Sequence, residues 1–190
     1  MNFKIILITV ITVIFSANVS GQTKYEKEYR IKEKDAPDKA VSFIKKSFTK
    51  CKWYSEESSD GKTFEAKGKL NGYKFSIEFD TTGNVIDAEK TVKFENMNSE
   101  IKQNINKSLL KIFASYKIKK TQIQWIACDN TLHELISYGH SKKPYTLNYE
   151  LVLKAKKDST TKFYEVLSDK NGNILKVSEI ISRPTDNLDF

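Results

Sequence analysis

Phe75-Ser76-Ile77-Glu78-Phe79-Asp80-Thr81-Thr82-Gly83-Asn84-Val85-Ile86 and Tyr164-Glu165-Val166-Leu167-Ser168-Asp169-Lys170-Asn171-Gly172-Asn173-Ile174-Leu175 share one pattern at a constant offset of 89 residues. Each copy is an alternating strand, a turn entered by Asp and closed by Gly-Asn, and a second apolar-rich strand, which is the signature of a hairpin. The Asp and Asn suit hydrogen bonding inside a tight turn, and the Gly between them admits positive φ.

A helix is expected upstream of each hairpin. Asp35 is a plausible N-cap, Pro37 falls in the first turn, and Ala40, Val41, Ile44 and Phe48 recur at helical spacing. In the second copy Asn98 or Ser99 caps, and Ile101, Ile105, Leu109, Ile112 and Phe113 form the same stripe. The helices correspond at an offset of 65, so 24 residues are inserted between the second helix and its last hairpin.

Strands fill the intervals. Cys51 to Glu57 leads to the Asp60-Gly61 turn; Phe64, Ala66, Gly68 and Leu70 then alternate with charged residues up to the Asn71-Gly72 turn. Tyr73 to Phe79 and Val85 to Phe94 close the first unit. Tyr116 to Ala127, Tyr145 to Ala155, Phe163 to Ser168 and Asn173 to Ile181 make the second. The expected architecture is α+β: a tandem repeat of one helix plus a four-stranded antiparallel meander, with helices on one sheet face and an open concave face opposite. Residues 22–34 are a linker or an edge strand, 35–95 the first unit, 96–183 the second and 184–190 a tail. Residues 128–144 form the inserted loop, with a short helix at 131–138.

The 190 residues are 39% hydrophobic and 29% charged, which fits one-sided sheets and amphipathic helices with an aromatic core of 11 Phe, 9 Tyr and 2 Trp. Met1-Asn2-Phe3-Lys4 followed by the apolar run Ile5 to Phe15 and the small residues Ser16, Ala17, Ser20 and Gly21 has the form of a secretory signal peptide, with cleavage expected near Gly21. The remaining 169 residues carry a net charge of +7, contain no further membrane-spanning run, and belong in the periplasm or outside the cell. In that oxidising setting Cys51 and Cys128 are candidates for a disulfide.

Ala36-Pro37-Asp38-Lys39-Ala40-Val41, Lys52-Trp53, Asp60-Gly61-Lys62-Thr63-Phe64-Glu65-Ala66, Leu70-Asn71-Gly72, Ile77-Glu78-Phe79-Asp80 and Gly83-Asn84-Val85 together resemble the PepSY-like family of exported bacterial proteins. That family is grouped with the β-lactamase-inhibitor-protein-like (BLIP-like) fold. The resemblance implies tandem helix-plus-sheet units with a concave sheet face and no enzymatic activity. Its motif residues are structural, so it transfers no binding residue.

Chemistry is sparse. His133, Glu134 and His140 with Cys128 and Asp129 fit no zinc spacing, and the chain has neither a G-x-S-x-G elbow nor a Cys-His signature. No catalytic residue, cofactor or metal is expected, and the protein is expected not to be an enzyme. For binding, Trp53, Tyr54, Trp125 and Tyr145 are the aromatics that would anchor a partner if they lie on the open sheet face. Tyr145 and Tyr149 alternate as core residues do. Asp60 and Asp80 sit on turn tips suited to recognition. Lys117, Lys119 and Lys120 end the densest run of positive charge, which favours anionic surfaces or an acidic partner. The expected function is an exported binding module that engages or inhibits an envelope or secreted protein, such as a hydrolase, through the sheet face and its turns. The alternative is a small-ligand or polysaccharide carrier using the cleft between the two units. Export disfavours nucleic acid.

Overall fold

The computed structural model describes residues 22–58 and 61–181. The signal segment, Asp60 and the C-terminal tail lie outside them. The strands are β1 (Gln22–Ile31), β2 (Cys51–Ser58), β3 (Gly61–Leu70), β4 (Tyr73–Phe79), β5 (Val85–Val92), β6 (Ser115–Ile126), β7 (Thr146–Lys157), β8 (Thr160–Asp169) and β9 (Ile174–Ile181). The helices are α1 (Asp38–Lys45), α2 (Ser99–Leu109) and α3 (Asp129–Tyr138). The class is α+β, dominated by antiparallel sheet.

All nine strands belong to one sheet, each antiparallel to the next, and β1 closes it by pairing in parallel with β9. Residues 22–31, expected as part of a linker or edge strand, form a strand whose first four residues pair with β9 and whose last six pair with β2. The face expected to lie open is turned inward by this closure.

Alternation decides what each face buries. Trp53, Ala66, Ile77, Ala88 and Trp125 lie opposite one another in register and form the helix-covered face of β2 to β6. They pack with Ala40, Phe43 and Ile44 of α1. On β7 to β9 the same face carries Leu151, Leu153, Val166 and Val177 beneath Ile105, Leu109 and Phe113. Phe43, absent from the expected α1 stripe, is buried and meets Phe79 edge-on at 5.9 Å.

The N-termini of the helices differ in detail. The Asn98 side chain accepts from the backbone N–H groups of Glu100 and Ile101, at 2.9 and 3.4 Å, as an N-cap should. Asp35 instead ends a 3-10 turn (Glu33–Asp35), and α1 starts behind Pro37 with no side-chain cap.

The insertion folds as α3 over β5 and β6, and its Leu132, Leu135 and Ile136 join Trp125 in the first core cluster. The His133 ring stacks on Phe43 with centroids 4.1 Å apart, and its Nδ1 lies 3.0 Å from Ser47 Oγ. Burial first, then the charge of Lys46, holds this imidazole below its ordinary range, so the neutral form is favoured on folding. Stability from this contact is complete above the ordinary value of about 6.5 and is lost as pH falls below it. The expected result is a larger drop in melting temperature between pH 7.5 and 5 for the wild type than for His133→Gln. Equal drops would refute it.

Candidate functional site

The inward face is polar, and its centre is acidic. Glu78 on β4 stands directly opposite Asp87 on β5. Ser76, Glu89, Gln124 and Asn148 form the next row across β4 to β7, and Gln122 pairs with Glu150 in the row beyond. Glu65 and Lys67 of β3 and Tyr54 of β2 continue the face towards Glu28 of β1.

Polar side chains hold one another in two chains of contacts. Lys67 Nζ bridges Glu28 at 2.6 Å and Glu65 at 2.9 Å, Ser76 donates to Glu65, and the Lys67 ammonium sits 4.6 Å from the centre of the Tyr54 ring. Across β5 to β7, Gln124 Nε2 donates to Asp87 at 2.8 Å, Asn148 Nδ2 donates to Gln124 at 2.9 Å, and Gln122 Nε2 donates to Glu89 at 2.6 Å. Glu150 is hydrogen-bonded to Glu89.

Two carboxyls in this face hold protons unusually well. Burial, reinforced by the charges of Glu78 and Glu150, pushes Asp87 up to about 8. Burial and the charge of Asp87 push Glu89 up to about 8 as well, while Lys120 and the Glu150 hydrogen bond oppose the shift. Among the described residues no three His, Cys, Asp or Glu side chains converge as a metal cage. The carboxyls are spread along the sheet, Asp87 and Glu89 each held by a glutamine amide and Glu65 by Lys67 and Ser76. What such a face can do is attract positive charge.

The residues singled out from the sequence are dispersed. Trp53 and Trp125 are 2% and 3% exposed under the helices and cannot anchor a partner, because their register places them with Ala66 and Ala88 in the core. Tyr149 is buried beside α2, whereas Tyr145 is exposed just ahead of β7. Tyr54 alone of the candidate aromatics points inward. Lys117 and Lys119 are exposed, and Lys120 turns inward after an irregularity in the β6–β7 register. Cys51 and Cys128 are both free: Cys51 is half-buried, with its thiol pushed up to about 11 by burial, and Cys128 is exposed at the start of α3.

Asp80 organises its own turn. Its Oδ1 accepts from the backbone of Thr82 and Asn84 at 2.8 and 2.9 Å, and Oδ2 accepts from Asn84 Nδ2 at 2.8 Å. Hydrogen bonds from the Asn84 and Thr82 side chains hold the carboxyl well below the usual carboxylate range. Asp169 accepts the equivalent set from Asn171 and Asn173 at 2.8–2.9 Å.

The inserted segment adds to the first core on the helix side of the sheet. Trp125, Leu132, Leu135 and Ile136 lie on the helix side of β5 and β6, in one cluster with Ala40, Phe43 and Ile44 of α1. The residues that sequence reasoning missed are Glu65, Glu78, Asp87, Glu89, Gln122, Gln124 and Glu150. They were legible as the polar half of alternating strands, but that pattern equally describes a wet outer face.

No family model matches the chain, and no curated protein matches it. Solved structures do. A DUF2874 family protein from Bacteroides ovatus shares 13% identity, with 76% of this chain and 87% of that one covered at a TM-score of 0.51. A protein from Bacteroides eggerthii, provisionally described as periplasmic, shares 11% identity over 76% of this chain and 88% of that one at a TM-score of 0.50. A BLIP-like protein from Bacteroides fragilis aligns over 80% of this chain and 91% of that one, with 12% identity and a TM-score of 0.48. At such identities the likeness to the first two is one of fold alone.

Proposed function

We propose that the protein is an exported, non-enzymatic binding module of the PepSY-like and BLIP-like kind. Its inward-facing carboxyl cluster, reached through an end of the closed sheet, receives a positively charged segment of another envelope or secreted protein. The carrying observation is the gathering of Glu65, Glu78, Asp87, Glu89 and Glu150 on one face of a chain whose net charge is +8. Clustered carboxyl oxygens are acceptors for the hydrogen bonds of a cationic side chain, which neutral neighbours such as Gln122 and Gln124 cannot match. The sequence alone favours an acidic partner, because strand alternation does not show that the carboxyls converge.

Two further features support the reading. The amides of Gln122, Gln124 and Asn148 fix the carboxyls in place, as a recognition surface requires. The repeated Asp-Gly-Asn turns are fixed from within, and each lies against the helix of its own half of the chain, Gly83 against α1 and Gly172 against α2. The apolar leader and the fold shared with a provisionally periplasmic protein favour export.

A pull-down from cell-envelope and secreted extracts with the mature protein tests this. Beside it runs a triple variant, Glu65→Gln, Glu78→Gln and Glu150→Gln, whose fold is checked by circular dichroism. The expected result is a saturable partner that binds the wild type, is released by salt and is lost from the variant. No saturable partner, or one that the variant retains, would sink the reading.

A further inference from the structure

We propose that the end of the sheet where β6 begins and β7 finishes, with six exposed lysines around an exposed leucine, is a surface that lies on an anionic phospholipid bilayer. It is a different surface from the carboxyl cluster, and neither role needs the other.

Strand register puts this surface together. β5 and β6 pair only as far as Val92↔Thr121, whereas β6 and β7 continue to Ser115↔Lys156. The first residues of β6 and the last of β7 therefore run on past β5. There Lys117 stands directly opposite Lys154, and Lys156 follows two residues along on the same face of β7. Lys119 sits at the irregularity between Ile118 and Lys120. All four are exposed. The end of α2 is fastened to the same place: the Tyr116 hydroxyl donates to Asn106 Oδ1 at 2.8 Å, and the Ala114 N–H donates to the Lys156 carbonyl at 2.9 Å. Leu110 lies one helical turn beyond Asn106, between the exposed Lys107 and Lys111, and is itself 64% exposed.

Charge at this end is unbalanced. None of the six lysines forms an ion pair with a described residue. Asp158 is the one acidic residue within three positions of any of them along the chain. Across the strands, Lys154 and Lys156 pair with Phe163 and Thr161 of β8, and Glu165 stands diagonally from Lys154. Six positive charges thus meet two negative ones. Like charges directly opposite one another destabilise a sheet, so anions brought from outside relieve a repulsion that the fold leaves in place.

Two details favour a bilayer over a soluble polyanion such as a sulfated polysaccharide. The cations are all lysine, a compact hydrated point charge that suits laterally mobile phosphate headgroups, whereas the bidentate fork of arginine suits anions held in one geometry. A large apolar side chain among cations gains little from a hydrated polysaccharide but enters the boundary between headgroups and acyl chains of a membrane.

Co-sedimentation of the mature protein with vesicles of phosphatidylglycerol and phosphatidylcholine in a one-to-two ratio, beside vesicles of phosphatidylcholine alone, tests the proposal. The expected result is saturable binding to the anionic vesicles only, weakening as added salt shortens the screening length. Lys117→Gln with Lys154→Gln is expected to lower the partition coefficient roughly twenty- to thirtyfold, at about fivefold for each lysine. Lys142→Gln with Lys170→Gln removes the same charge from exposed positions at the other end of β7 and β8, beyond the reach of a screened surface, and is expected to lower it less than about twofold. Leu110→Ser is expected to lower it about tenfold. No binding to anionic vesicles, equal losses in the two double variants, or a Leu110→Ser protein that binds as the wild type does would each overturn the proposal. Binding of dextran sulfate without binding of anionic vesicles would reassign the surface to a soluble polyanion and overturn it too. Circular dichroism checks each fold, and Leu110→Ser decides by itself if a lysine variant does not fold.

Discussion

Replacing Phe79 by alanine is expected to lower stability by about 3–5 kcal/mol, read from urea unfolding, and to lower the melting temperature by roughly 10 °C. Phe79 is fully buried and sits where the first core is assembled from three directions. Its ring meets Phe43 of α1 edge-on at 5.9 Å and Trp53 of β2 at 5.9 Å. Across the hairpin it pairs with Phe64 of β3. Removing it strips packing from a helix and two strands at once, and rings held by their own neighbours cannot collapse into the space. Tyr73, on the same strand but 48% exposed, supplies the comparison: Tyr73→Ala is expected to cost under about 1 kcal/mol. A Phe79→Ala loss as small as that of Tyr73→Ala would mean that α1 does not rest on the sheet as described.

The same residues show what a sequence discloses and what it withholds. Phe75, Ile77 and Phe79 alternate with Lys74, Ser76 and Glu78, so strand, face and hairpin are all legible from the order of side chains. The cap of α2 is legible for the same reason, because Asn98 acts within four residues of itself. Closure of the sheet is not legible. It depends on main-chain pairing between residues more than 150 positions apart, and backbone donors and acceptors are nearly independent of sequence. The acidic interior was hidden by that gap. Glu65, Glu78 and Glu89 look like the solvated half of an amphipathic strand until the ring closes around them. Trp53 and Trp125 were ambiguous because a large aromatic suits core and interface equally. Only their register with Ala66 and Ala88 resolves it.

Gly83→Ala and Gly172→Ala are expected to destabilise by about 3 kcal/mol or more each, and Gly72→Ala by only about 1. All three glycines have left-handed backbone, with φ of 82°, 85° and 81°, so the conformational strain of an added Cβ is the same. Their surroundings are not. A Cβ on Gly83 would lie 2.9 Å from the Ala40 backbone nitrogen and 3.0 Å from the Cβ atoms of Lys39 and Pro37. On Gly172 it would lie 2.9 Å from the Ile101 carbonyl oxygen and 3.1 Å from the Ile105 backbone nitrogen. On Gly72 it would meet nothing within 4 Å. The first two substitutions must therefore push a helix off its own hairpin, and helical backbone does not yield as a side-chain tip does. The turns they occupy are hydrogen-bonded alike: Gly83 and Gly172 each donate to the carbonyl of the entry Asp at 3.0 Å. If the two halves of the chain are copies of one unit, the two losses should agree within about 0.5 kcal/mol, measured by denaturant unfolding at fixed pH. A large loss at Gly83 with a small one at Gly172 would show that α2 is held by its core stripe alone, and that the shared turn is a likeness of sequence without a shared mechanical role.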